Sequence, residues 1–231
     1  MPITIIQGND HSLQSADINV VIDVIRAFTV AHYAFMNGAE QIMLVGTTEE
    51  AFRLKQQHAE YLLMGEVRGL PIEGFEFDNS PSRIARCDLA GRTLVQKTTN
   101  GVKATLHSLN ADFIYVTGFS NARTTGKFIH DHHQYDEQSR NIHLIASHPT
   151  GDEDLACAQF LKGIIEGHPT ISSDEVVQRI VNSHAAQKFF NPDLPEFDKE
   201  DISFCIREVE SDFVMRVNKL KEIPTIERVN I

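Results

Sequence analysis

The sequence predicts a three-layer α/β/α fold around a largely parallel sheet, with room for mixed pairing, in one domain spanning residues 1–231. Three observations carry that expectation. Short apolar, often β-branched runs alternate with helical stretches, capping signals mark the joins, and no Pro/Gly/Ser-rich linker divides the chain.

Ile18 to Asp23 (INVVID) reads as a strand, followed by a helix over Ala27 to Asn37 with Gly38 as its C-cap. Gln41 to Val45 is the next strand, and Thr47 to Glu50 is a capping box opening a helix to about Glu60. Tyr61 to Gly65 is a third apolar run, and Glu66 to Ser80 a long connection. Pro81 to Cys87 suits a short helix, Thr93 to Lys97 a strand, and Val102 to Leu109 a helix. Asp112 to Val116 with the helix Asn121 to His130, then Ile142 to Ala146 with the helix Asp152 to Ile165, complete the alternation. Ser172 to Glu175 is a second capping box, predicting a helix to Phe189. Residues 190–231 read as less regular.

Composition narrows the class. The 231 residues are 42% hydrophobic and 23% charged, an ordinary globular balance that excludes disorder and collagen-like repetition. Lys and Arg number 21 against 32 Asp and Glu, a net charge of −11, which argues against nucleic-acid or anionic-membrane partners. The most apolar stretch, Val20 to Met36, is interrupted by Asp23, Arg26 and His32, so no transmembrane helix is expected. The opening Met1-Pro2-Ile3-Thr4 lacks signal-peptide character, and the cytoplasm is the expected compartment. Cys87, Cys157 and Cys205 are scattered in apolar surroundings, fitting buried inert thiols.

Ligand sites in such sheets lie beyond the carboxyl ends of the strands. That rule gathers Asp23 and Arg26; Glu66 and Arg68; Thr98, Thr99, Asn100 and Gly101; Gly118, Ser120 and Asn121; and Ser147, His148, Gly151, Asp152, Glu153 and Asp154. Carboxylates among them are ligands of the hard-oxygen kind that Mg²⁺ prefers. Arg26, Arg68 and Arg123 suit phosphate or carboxylate oxygens. Each signal also has a plain structural reading, as an N-cap, a turn or compensation of a helix dipole. P-loop, dinucleotide-binding and nucleophile-elbow motifs are absent. His130-Asp131-His132-His133, followed by polar Gln134 to Arg140, reads as a solvated helix end rather than a metal site, whereas His148 sits in the strand-end set.

In chain order, Asp23-Val24-Ile25-Arg26-Ala27, Gly65-Glu66, Gly74-Phe75, Asn79-Ser80-Pro81, Thr98-Thr99-Asn100-Gly101, Asn121-Ala122, Glu153-Asp154 and Cys205 resemble the 2-phosphosulfolactate phosphatase (ComB) family over residues 18 to 215. The resemblance implies a ComB-like fold and a Mg²⁺-dependent phosphatase releasing phosphate from 2-phosphosulfolactate, a step of coenzyme M biosynthesis in methanogens, or from another small phosphorylated 2-hydroxy acid. Together with the strand-end reading it implies Asp23, Arg26, Asn100 and Asn121 as catalytic. Arg68, Asn79, Ser80, Thr99, Gly101 and Arg123 would bind substrate, and Asp23, Glu66, Glu153 and Asp154 would hold metal. The expected partner is a small phosphorylated anion, and a homo-oligomer is compatible with the sequence. Phe28, Asp78 and Val102 depart from the family pattern, which favours as the alternative a non-catalytic relative that binds an anionic metabolite.

Overall fold

The computed structural model describes residues 2–9, 16–133 and 140–231. Within them the chain runs β1 (Ile3–Gln7), β2 (Ile18–Ile22), α1 (Ala27–Met36), β3 (Gln41–Leu44), α2 (Thr48–Gln57) and β4 (Leu62–Val67). It continues through β5 (Leu70–Pro71), α3 (Pro81–Ile84), β6 (Thr93–Lys97), α4 (Gly101–Leu106), β7 (Phe113–Thr117) and α5 (Ala122–His133). Then come β8 (Ile142–Ala146), α6 (Asp152–Glu166), α7 (Ser173–Asn182), α8 (His184–Gln187), α9 (Lys199–Cys205), β9 (Phe213–Asn218) and β10 (Thr225–Asn230).

Local chemistry sets many of these boundaries. The Thr47 hydroxyl accepts the Glu50 N–H at 3.1 Å, while Glu50 reaches back to the Gly46 N–H, one residue earlier than the usual reciprocal partner. Gly38 follows the α1 cap with φ +89°, a conformation that a Cβ disfavours. Ser172 caps α7 by accepting from Glu175. The helix expected to reach Phe189 instead breaks at Ser183, which is extended (ψ 151°) and whose hydroxyl caps α8 through Ala186. Serine competes for backbone donors in this way wherever a new helix start is as favourable as continuation.

The described strands form one mixed sheet in the order β1-β8-β2-β7-β9-β10-β3-β6-β4-β5. β1, β8, β2 and β7 run parallel, as do β3, β6 and β4. β9 and β10 stand antiparallel between these blocks, and three successive reversals leave the blocks running in opposite directions. Residues 190–231 are therefore not a loose annex. Their hairpin occupies the centre of the sheet, because strand identity here depends on the flanking β7 and β3 more than on local propensity.

Helices cover both faces. Phe28, Ile84 and Val102 from α1, α3 and α4 pack with Met215 and Ile226 in one core. Ala122, Cys157, Phe160 and Val176 from α5, α6 and α7 pack with Ile18, Val20 and Ile22 in the other. Cys157 and Cys205 are buried as expected, but Cys87 is only half-buried, its thiol donating to the Arg83 carbonyl. α5 extends to His133, which is buried and bonded to the Tyr115 hydroxyl, so this histidine belongs to the core and not to a solvated turn. Residues 134–139 of that polar run lie outside the described residues. No described helix is long and apolar enough to cross a membrane.

Candidate active site

Although the two parallel blocks oppose one another, the carboxyl ends of β2 and β8 meet those of β4 and β6. Twist of about 20–25° per strand accumulates to more than about 100° over the five steps from β2 to β6, offsetting much of that opposition. The approach is close: a Cβ on Gly101 would fall 2.7 Å from Asp23 Oδ2, so only glycine fits there. Gln96 in β6 also donates to the Ala27 carbonyl at 3.0 Å.

Asp23 leaves β2 and is 4% exposed. Its Oδ1 accepts the Ala27 N–H at 2.9 Å, and its Oδ2 accepts the Ser147 hydroxyl at 3.2 Å. Burial, then the charges of Glu66 and Glu153, push its pKa up to about 6 against the pull of the Ala27 N–H. Asp154 is pushed well above the usual range by burial and by Glu153 and Asp23. It also accepts from the Val24 and His148 N–H groups and the Ser147 hydroxyl, which ties the β2 and β8 loops together. Glu153 is buried beside them, and its Oε2 has no partner among the described residues.

On the other side Glu66 accepts from the Thr99 N–H, the Thr99 hydroxyl and the Gly69 N–H. The Thr99 hydroxyl in turn accepts the Arg68 N–H at 2.7 Å, in a turn where Arg68 has φ +54°. Asn100 accepts from Asn9 at 2.6 Å. Asp23, Arg26, Glu66, Arg68, Asn79, Thr99, Asn100 and His148 line a cavity of about 450 Å³, closed on its far wall by residues 184–188. Asn79 is buried there, with Oδ1 unpartnered among the described residues.

Several expected residues serve the scaffold. Ser80 caps α3 and donates to Asp201, so it belongs to the wall rather than to the ligand surface. Asn121 accepts from the Thr117 hydroxyl and Gly118 N–H, capping its own turn, and it does not line the cavity. The end of β7 is spent on packing: a Cβ on Gly118 would meet Thr29 Oγ1 at 2.5 Å, and Ser120 bonds to His32. Arg123 pairs with Glu208 at 2.6 Å and lies instead by a larger cavity of about 820 Å³. Of the strand-end set that cavity is lined by Ser120 and by none of the residues around Asp23, so the smaller one is the candidate active site.

Two residues escape sequence reading. Asp201, 1% exposed, accepts from Arg26 at 2.7 Å, from the hydroxyls of Ser80 and Ser82 at 2.6 and 2.7 Å, and from the Ser82 N–H. It holds Arg26 in place, with the guanidinium 4.9 Å from the Phe189 ring. Lys188 is the second, brought in by the break at Ser183. Neither has a local motif, although Asp201 stands in an acidic run that reads as a helix first turn. The three departures from the family pattern fall elsewhere. Phe28 and Val102 are core residues, Asp78 pairs with Arg83 at 3.0 Å, and none lines the cavity.

Acidic residues at the floor and cations at the wall, gathered at strand ends, are the equipment of an α/β protein that handles a small polyanion. More narrowly, the chain belongs to the 2-phosphosulpholactate phosphatase family, whose model matches residues 4–219. This is a family of phosphoric monoester hydrolases. A protein of Bacillus subtilis named probable 2-phosphosulfolactate phosphatase is 53% identical over the full length of both chains. One of Caldicellulosiruptor saccharolyticus with the same name is 32% identical over 91% of each chain. Another, of Thermoplasma acidophilum, is 27% identical over 83% of this chain and 82% of its own.

Proposed function

We propose that the protein is a Mg²⁺-dependent phosphatase that hydrolyses 2-phosphosulfolactate, or a close phosphorylated 2-hydroxy acid, to the hydroxy acid and phosphate. The family and the names of its relatives support the reaction class. The observation that carries the site is the crowding of Asp23 with Glu66 and Glu153 in a buried place, where loss of hydration first and then the neighbouring charges raise the Asp23 pKa.

That crowding also fits a divalent cation. Among the described residues Glu153 Oε2 is buried without a partner, whereas both Asp154 oxygens and both Glu66 oxygens are taken by protein donors. Glu153 is thus the first residue that would hold Mg²⁺, joined by Asp23, whose Oδ2 makes a single, long bond of 3.2 Å to the Ser147 hydroxyl. Among the described residues no three His, Cys, Asp or Glu side chains form a closed metal set. Mg²⁺ tolerates that, since it commonly keeps several waters and takes one or two carboxylates. When bound, the ion would neutralise charge on the phosphoryl oxygens.

The chain's own groups do the rest. The Ala27 N–H and Ser147 hydroxyl fix the Asp23 carboxylate. It either takes the proton of the attacking water or attacks phosphorus itself, and trapping of a phosphoenzyme separates the two. Arg26, held in place by its ion pair with Asp201, presents N–H donors, and Asn79 and Asn100 offer amide groups at the cavity wall. Phosphate release from 2-phosphosulfolactate and other monoesters, with Mg²⁺ and with chelator, tests the reading. Asp23→Asn is expected to lower turnover by about 10²–10⁴-fold. Wild-type protein without turnover, or an Asp23→Asn variant as active as wild type, would overturn it.

A further inference from the structure

We propose that Lys188, together with Arg68, holds the acid group of the substrate that is remote from the phosphoryl group, so that the site selects phosphorylated acids over simple monoesters. The inference rests on the phosphatase reading above and names a specificity residue within the same cavity.

Charge accounting within the cavity leads to Lys188. Of its lining cations, Arg26 is neutralised by Asp201. The Lys188 ammonium has no ion pair or hydrogen bond among the described residues, although the side chain is half-buried and lines the cavity. Glu66 spends its oxygens on Thr99 and Gly69 and does not pair with it. Instead the Lys188 ammonium lies 4.5 Å from the Phe197 ring centroid and 5.6 Å from that of Phe189. Ring faces hold a cation in place without cancelling its charge. Burial, followed by the Arg26 charge, lowers the Lys188 pKa, a cost that an incoming anion would offset.

Position decides which anion. Asp23 lines the cavity at 4% exposure, and the phosphoryl group must reach it for hydrolysis. Arg68 is exposed on the rim and forms no ion pair among the described residues. Gly69, with φ +85°, follows Arg68 in the chain and lies against Lys188, since a Cβ there would meet Lys188 Nζ at 2.7 Å. Two uncommitted cations lining one cavity, Lys188 against Gly69 and Arg68 next to it in the chain, suit a single carboxylate or sulfonate, a short chain away from the phosphoryl position.

Kinetics of Lys188→Met and Lys188→Arg with 2-phosphosulfolactate and with p-nitrophenyl phosphate, which lacks a second acid, test this. Lys188→Met is expected to raise KM for 2-phosphosulfolactate by about tenfold or more, several-fold beyond its effect on the aryl ester, with partial recovery in Lys188→Arg. Equal effects on both substrates, or none on either, would refute it. Calorimetric binding of sulfolactate keeps this test separate from the phosphatase reading. Weakening in Lys188→Met supports the subsite even if no ester is turned over, and unchanged binding overturns it.

Discussion

Asp23 concentrates the conflict between stability and function in one side chain. Its folded pKa is raised from 3.8 to about 6, so the folded state binds the proton more tightly than the unfolded chain does. The associated stability is complete below about pH 3.8 and is lost as pH rises through about 6, a difference of roughly 3 kcal/mol. Asp23→Asn keeps the acceptor for Ala27 and removes the charge. In metal-free protein it is expected to raise Tm by several degrees at pH 7.5 and much less at pH 4.5, alongside the loss of turnover given above. Identical melting of variant and wild type at pH 7.5 would refute the account of this carboxylate as strained by burial. Asp23 was legible in the sequence as a strand-end acid, whereas Asp201 was not. It forms its contacts from 175 residues beyond Arg26, and no local pattern encodes such a distance.

At the scale of elements, capping chemistry explains both what was foreseen and what was missed. The boxes at Thr47 and Ser172 start helices where expected. Ser183 introduces a start inside a stretch whose apolar spacing otherwise continues to Phe189, and this turns His184, Gln187 and Lys188 onto the cavity. Ser183→Ala removes the acceptor for the Ala186 N–H. It is expected to cost about 1 kcal/mol and to raise KM for the substrate more than it lowers kcat, because the wall moves while the Asp23 floor stays. Urea titration and steady-state kinetics check this, and an unchanged KM would argue that the wall is held by Phe189 and Phe197 packing alone.

At the scale of the molecule, the β9–β10 hairpin joins two parallel blocks that would otherwise present open edges to one another. Ile226 is fully buried in β10 beside β3 and β9. Ile226→Ala is expected to cost about 2–5 kcal/mol, with far-UV dichroism and tyrosine fluorescence tracing a single urea transition. Two separated transitions would show instead that the blocks unfold independently.

The sequence by itself determined the layer class, most of the strands and helices, and the acids and turns at the strand ends, because period and capping act within a few residues. Asp23, Glu66, Thr99, Asn100 and Glu153 were accessible to it for that reason, and Asn79 through the family resemblance. Only the tertiary structure decided that the two blocks oppose each other and that their carboxyl ends nevertheless meet. It also decided that β7 spends its end on packing, and that a late segment supplies Asp201 and Lys188. Those outcomes depend on sheet order and accumulated twist, which arise from pairings between strands far apart in the chain.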